Sequence, residues 1–131
     1  MKKDIDIPEV EGVYVAAVLE KNDDFQSMDW NAYLINDRET PVDTVLIVTR
    51  GYDDKDVTST MRHTIKELPP KSFAKVEFLQ EDVLKLNNEF SVSFFAGGKM
   101  YHKKYVFRKN TINENALREL PVMTKKGVLL K

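Results

Sequence analysis

The chain has only two imidazoles, His63 in TMRHT and His102 in MYHKK. A two-histidine metal site needs both on adjacent strands with a carboxylate beside them, and nothing in the spacing brings them together, so no metal site is expected. A serine nucleophile with a histidine base needs its serine on a sharpened turn. Ser27, Ser59, Ser72, Ser91 and Ser93 all lie in strand-like or plain polar runs, and no G-x-S-x-G occurs. Cysteine is absent, which removes disulfides, thiolate zinc sites and cysteine nucleophiles together. The glycine-rich phosphate cradles G-x-G-x-x-G and G-x-x-x-x-G-K-[ST] are missing too, so no cofactor is implied. Asp53, Asp54 and Asp56 crowd one short stretch, but without calcium-loop spacing, and they read as a solvated turn. No catalytic residue is predicted, and an enzyme is the weaker reading.

Two surfaces remain as candidates. Arg50, Thr58, Thr60 and Arg62 would form a Thr/Arg-rich patch if their strands pair around the 51–56 turn, suited to a carboxylate or a partner strand. Lys99, His102, Lys103, Lys104 and Arg108 alternate with Tyr101, Tyr105 and Phe107. Cations and rings interleaved on a strand suit RNA through stacking and phosphate contact. The spacing of Tyr105 and Phe107 equally suits a core face, and an isoelectric point near 6.1 weighs against nucleic acid.

Positioning these residues falls to short extended elements. Residues 30–51 read WNAYLIND, RETPVD, TVLIVTRG: two β-branched and aromatic runs around a turn with Pro41, expected to form an antiparallel hairpin. Trp30, the only tryptophan, is expected as a core anchor. GVYVAAVLEK before it is apolar on both faces, which calls for cover on two sides. Phe25 and Met28 are expected to anchor the intervening loop.

Beyond the 51–56 turn, VTSTMRHTIKEL reads as an edge strand. Val57, Met61 and Ile65 lie on one side with Ser59 and His63, and a wet Thr58, Thr60, Arg62, Thr64 side lies opposite. SFAKVEFLQ alternates, with Ala74, Val76 and Phe78 inward and Lys75 and Glu77 outward. EDVLKLNN suits one helical turn with Val83 and Leu86 inward. A second hairpin spans EFSVSFFAGGKMYHKKYVFRK. Phe90, Val92 and Phe94 face in, Gly97-Gly98 forms a two-residue loop, and Lys103 shares a face with Tyr101, Tyr105 and Phe107. That lysine implies a bulge or a side chain leaning past the sheet margin. Asn113 or Thr111 caps a short helix through Leu120, and VMTKKGVLLK adds a last strand or a loose arm.

These elements predict an all-β fold. It is a two-sheet antiparallel sandwich, immunoglobulin- or fibronectin-like, of about seven strands with a short C-terminal helix. A small closed barrel is the alternative. At 131 residues a single domain, 1–131, is expected, with an N-terminal arm over 1–11 and a C-terminal helix and tail over 111–131. A chain this long buries roughly two thirds of its unfolded surface, enough for a core without staples. No apolar run approaches the length of a membrane span and no leader is visible, so a cytoplasmic protein is expected.

Net charge is −1, but residues 1–60 carry 6 Lys and Arg against 14 Asp and Glu, and the rest carry 14 against 7. Cross-strand pairing of early acids with late bases is the simplest outcome.

The runs WNAYLIND, TVLIVTRGYDDK, TSTMRH, KSFAKVE and NEFSVSFFAGGK, with the ending NTINENALRELPVM, resemble a family of short bacterial proteins of uncharacterised function. The likeness covers nearly the whole chain. Members are often labelled phenylalanyl-tRNA synthetase alpha subunit. A class II synthetase domain is much longer and needs an arginine-bearing ATP motif and a late glycine-rich motif, and neither occurs here. The resemblance therefore implies at most an indirect association with tRNA, and no residue-level role. The function expected is a non-enzymatic, protein-binding module of the cytosol. The alternative is an RNA- or tRNA-associated factor using strand 99–109, and a small-ligand site near Trp30 is a third reading.

Overall fold

The computed structural model describes residues 9–131. Most of the N-terminal arm expected over 1–11 lies outside the described residues; residues 9–11 have no regular structure. Nine strands follow: β1 Val13–Asn22, β2 Ser27–Asn36, β3 Val42–Tyr52, β4 Met61–Leu68, β5 Ser72–Leu79, β6 Asn87–Ala96, β7 Lys99–Phe107, β8 Arg118–Glu119 and β9 Lys126–Leu130. They form two antiparallel sheets, ordered β5-β2-β1-β9-β8 and β4-β3-β6-β7. Among the described residues no helix is long and apolar enough to cross a membrane.

The two runs of residues 30–51 do not form a hairpin. β2 pairs with β1 and β5, whereas β3 pairs with β4 and β6, so the Pro41 turn carries the chain from one sheet to the other. Asn36, fully buried, holds this crossing. Its amide donates to the carbonyls of Thr40, Leu68 and Pro69 at 3.0–3.1 Å, and its Oδ1 accepts from the Arg38 backbone N–H. Leu68 and Pro69 belong to the second crossing, from β4 to β5, so one side chain ties both.

The core lies between the sheets. Val13, Val15, Leu34, Val45, Ile47, Phe90, Val92, Phe94 and Phe107 are at most 1% exposed. Alternation explains them: each sheet turns every second side chain toward the other. Trp30 is only partly buried, packed against this core. β1 and β2 are also buried on their outer face. Ala16, Val18, Tyr33 and Ile35 are covered there by Leu120 and Met123 of the C-terminal segment, which forms a second apolar cluster. The two-sided apolar pattern of β1 thus has its cover.

That segment is not a helix through Leu120. Asn113 does cap, its Oδ1 accepting from the Asn115 N–H at 2.9 Å, but the cap starts a 3-10 turn of three residues, Glu114–Ala116. β8 and β9 follow, bringing the strands among the described residues to nine rather than about seven. β9 pairs with β1 closely enough that a Cβ at Gly127 would lie 2.6 Å from the Ala17 carbonyl oxygen. Lys125 pins this segment through Glu20, which is 9% exposed. The Glu20 carboxylate accepts from Lys125 Nζ on one oxygen, and from Asn31 Nδ2 and Tyr33 Oη, each at 2.7 Å, on the other.

The β6–β7 hairpin forms as the Gly97-Gly98 loop requires. The two glycines sit at φ +59° and +78°, where other residues are strained. Lys103 needs no bulge, since the β6–β7 register runs unbroken and its Nζ leans over the Tyr105 ring, 5.1 Å from the centroid. The loop anchors expected at Phe25 and Met28 are instead 78% and 59% exposed. Val57 and Met61 are likewise outside, at 66% and 50%, because the 58–60 stretch leaves the ladder before β4 begins. The edge position of β4, with Thr64 and Arg62 wet, is as the alternation implies. The 81–85 segment is a 3-10 turn, with Val83 and Leu84 packed on the core. Early acids and late bases do meet, Asp37 and Glu39 with Lys71 and Glu20 with Lys125.

The Glu20 network makes stability pH-dependent in a defined direction. Burial alone would raise its carboxyl, but hydrogen bonds from Lys125, Tyr33 and Asn31 outweigh it and hold the group below the ordinary value of 4.5. Such a carboxylate stabilises fully above its unfolded value, and the contribution fades as pH falls through the lowered folded value. Wild type should therefore exceed Glu20→Gln by about 1–2 kcal/mol near neutrality, with the gap closing as acidification protonates the folded carboxylate, below the ordinary value of 4.5. Urea titrations of both proteins across that range check this.

Candidate functional site

A register irregularity in β5 builds the site. Ala32 pairs with Glu77 and the next residue, Tyr33, pairs with Lys75, so Val76 is left over as a bulge. The extra residue inverts the alternation beyond it. Phe78, expected inside, is 51% exposed, and Glu77, expected outside, turns toward the gap between the sheets.

Facing it are two residues of the other sheet. Thr49 occupies the inward phase of β3 after Val45 and Ile47 and is 3% exposed. His63 lies on β4. Thr49 Oγ1 donates to Glu77 Oε1 at 2.8 Å, and His63 Nε2 lies 2.7 Å from the same oxygen. The side chains of His63 and Glu77 are 23% and 16% exposed. The carboxylate is the hub of this trio. A nucleophilic relay needs the imidazole between acid and hydroxyl. Here hydroxyl and imidazole both end on one carboxylate oxygen, so the arrangement fastens β3, β4 and β5 together across the sandwich.

Beside the trio opens a cavity of about 430 Å³, walled by Thr49, Gly51, Thr58, Met61, Glu77 and Asn88 among others. Its position explains part of the expected Arg50, Thr58, Thr60, Arg62 patch. Arg50 and Thr58 line this cavity, while Thr60 and Arg62 do not. Thr58 pairs with Gly51 as a clasp: its N–H donates to the Gly51 carbonyl, and its Oγ1 accepts from the Gly51 N–H at 2.7 Å. Arg50 is committed to Glu89 through two contacts of 3.2 and 3.3 Å, and its guanidinium rests 4.7 Å from the Tyr52 ring centre. Arg62 sits opposite Val48 on the outer face, exposed. Asp53, as expected of a solvated turn, closes the 51–56 bend by accepting from the backbone N–H groups of Lys55 and Asp56.

The residues considered for RNA do not share one face. His102 and Lys104 lie opposite Ser93 and Ser91 on the outer side of β7. Lys103 is on the inner side over Tyr105, Lys99 starts the strand, and Arg108 follows its end. Tyr105 and Phe107 are 2% and 1% exposed, and Tyr105 Oη donates to the Val13 carbonyl. Tyr101 stacks on Phe94 at 5.3 Å. Two of the three rings are thus core, which leaves the cations without the stacking platform. His102 does meet two hydroxyls, with Ser93 Oγ 2.9 Å from Nδ1 and Ser91 Oγ 3.3 Å from Nε2, on an open face where no acid among the described residues bonds the ring. Among the described residues no cluster of three His, Cys, Asp or Glu side chains is placed to hold a metal. Trp30 borders a separate cavity of about 380 Å³ with Leu19, Phe78 and Leu84.

Thr49 and Glu77 are not among the residues expected to form a site. The available signal was Thr49 itself, a hydroxyl in the apolar phase of a buried strand, which must find a partner. Replacing Thr49 by Val should therefore destabilise the fold by about 1 kcal/mol, because Glu77 loses a donor while remaining half-buried. Urea unfolding with an unchanged m-value checks this.

Comparison of the chain with protein-family models, with curated proteins and with solved structures gives no match in any of the three.

Proposed function

We propose that the chain is a non-enzymatic, protein-binding β-sandwich module of the cytosol, docking through the outer face of the β4-β3-β6-β7 sheet. One observation carries the reading. Leu46, Phe95 and Met100 on that face are 37%, 37% and 57% exposed, and Phe95 stands directly opposite Met100. Large side chains held in adjacent positions of a rigid sheet are the anchors that protein interfaces use.

Leu46 and Ser93 are cross-strand neighbours, so Phe95 and His102 adjoin the same spot. Arg62 and Lys104 lie beside it, and Lys99 closes the hairpin end. Asp43 pairs with Phe95 on the side away from Met100, and Lys104 lies 3.8 Å from Glu89, so the border carries both signs and the apolar centre fits a partner segment that carries a hydrophobic anchor. The strand orders support an immunoglobulin- or fibronectin-like arrangement. β1-β2-β5 facing β4-β3-β6-β7 has the A-B-E on C′-C-F-G order of such sandwiches, with β9 and β8 added beside β1. The hub position of Glu77 supports the non-enzymatic part, since its geometry activates neither hydroxyl nor imidazole as a nucleophile.

The test is native purification of the tagged chain from its source cell with quantitative mass spectrometry. A stoichiometric partner should co-purify with wild type and with Phe73→Glu, which alters the other sheet, and be lost from Phe95→Glu/Met100→Glu. Equal recovery with all three, or no stoichiometric partner with any, contradicts the reading.

A further inference from the structure

The cavity beside Glu77 has a chemical bias that the docking face does not share. Glu77 spends one carboxylate oxygen on both Thr49 and His63. Its other oxygen takes no hydrogen bond from any described residue. The Asn88 side chain is 7% exposed for the residue and uses its N–H groups on the carbonyls of Val83 and Leu86, at 2.8 and 3.1 Å. What Asn88 has left is its amide oxygen, 3.5 Å from where a Cβ on Gly51 would stand. The hydroxyl of Thr58 is used in both directions, accepting from the Gly51 N–H and donating to the Ser59 carbonyl. Arg50 at the rim is occupied by Glu89.

Ser59 and Gln80, both exposed, complete the polar lining at the rim; of the less exposed polar residues, Glu77 and Asn88 have only acceptors unspent, and one belongs to a carboxylate. Met61, Val83 and Phe90 supply apolar wall. A volume of about 430 Å³ lies within the usual range for small-ligand pockets. An anionic ligand would meet Glu77 with like charge, while Glu89 and Arg50 at the rim offset one another. An apolar one would leave a carboxylate oxygen without a donor, and a neutral hydroxyl would bring only an uncharged donor.

We propose that this cavity binds a small organic cation, a primary ammonium on a short apolar body. The ammonium bonds the free oxygen of Glu77 and the amide oxygen of Asn88, and the alkyl part packs on Met61, Val83 and Phe90. A charge-assisted contact to a carboxylate is about twice as strong as a neutral one, which sets the selectivity. Thr49 and His63 act as positioning residues, holding the carboxylate so that one oxygen stays open. The site lies in the gap between the sheets, and its wall shares no residue with Leu46, Phe95 and Met100 of the outer face.

The probes are n-butylammonium, 1-butanol and butyrate, titrated into the ¹⁵N-labelled chain and followed by amide chemical shifts. Butylammonium should give saturable shifts centred on Thr49, Gly51 and Asn88. Butanol should bind about tenfold more weakly and butyrate not at all. Glu77→Gln should weaken butylammonium by about tenfold or more. Val83→Phe, which fills the cavity without touching Glu77, should abolish the shifts and decides the matter if Glu77→Gln does not fold. Butanol binding as well as the amine overturns the proposal. So do shifts scattered over the acidic turns 23–29 and 53–56, or retention of binding by either folded variant.

Discussion

Asn36 is the constraint on which the rest of the structure depends. A sandwich must pass its chain between sheets, and each passage leaves backbone carbonyls that no ladder can satisfy. Two passages meet at one end here, β2 to β3 and β4 to β5, and one fully buried amide serves both. Asparagine suits the role because its amide carries two donors and one acceptor on a short side chain. The acceptor is also used, capping the Arg38 N–H as the chain turns. Replacing it with an apolar residue of similar volume would fill the space and strand several carbonyls.

Fixing that end fixes the registers that run to the other. From Asn36 paired with Ser72, β5 runs along β2 until the bulge at Val76, and from Val42 paired with Leu68, β4 runs along β3 to Met61. The β3–β4 ladder ends, and the β2–β5 ladder resumes after its bulge, where Thr49, His63 and Glu77 come together. The bulge decides which side chain arrives there, because one extra residue exchanges inside for outside. The same event exposes Phe78. The opposite flank of the sandwich is closed differently. Tyr105 reaches the Val13 carbonyl, where burial raises its phenol above the ordinary range, and the C-terminal segment folds over the outer face of β1 and β2. That cover is why β1 has no polar face.

Much of the architecture was legible from period alone. Phe90, Val92 and Phe94 alternate with serines, Gly97-Gly98 can adopt a loop that needs positive φ, and the Thr-rich face around Arg62 marks an edge. Each of these is a local signal, decided within a few residues. The failures are non-local. A polar turn with Pro41 between two apolar runs reads the same whether the strands pair or part. What separates them is the tie from Asn36 to carbonyls 32 and 33 residues away. The bulge at Val76 leaves no mark in a run that alternates without a break, so Glu77 and Phe78 were assigned to the wrong sides. The helix expected over 113–120 began from a true cap at Asn113, but β9 competed for the following residues and drew Arg118 and Glu119 into a strand. Of the candidate site, Arg50 and Thr58 were readable through the turn between them, while its acid and its histidine depend on sheet-to-sheet packing.

The most direct measurement is the unfolding free energy of Asn36→Ala against wild type in urea, with amide exchange followed in β3 and β5. The account predicts a loss of about 2–4 kcal/mol, since several buried carbonyls lose their donor at once. Protection should also fall in both strands, on both sheets. A change within about 0.5 kcal/mol, the size expected of an unconnected surface substitution, would contradict it. So would a loss of protection confined to the 37–41 turn.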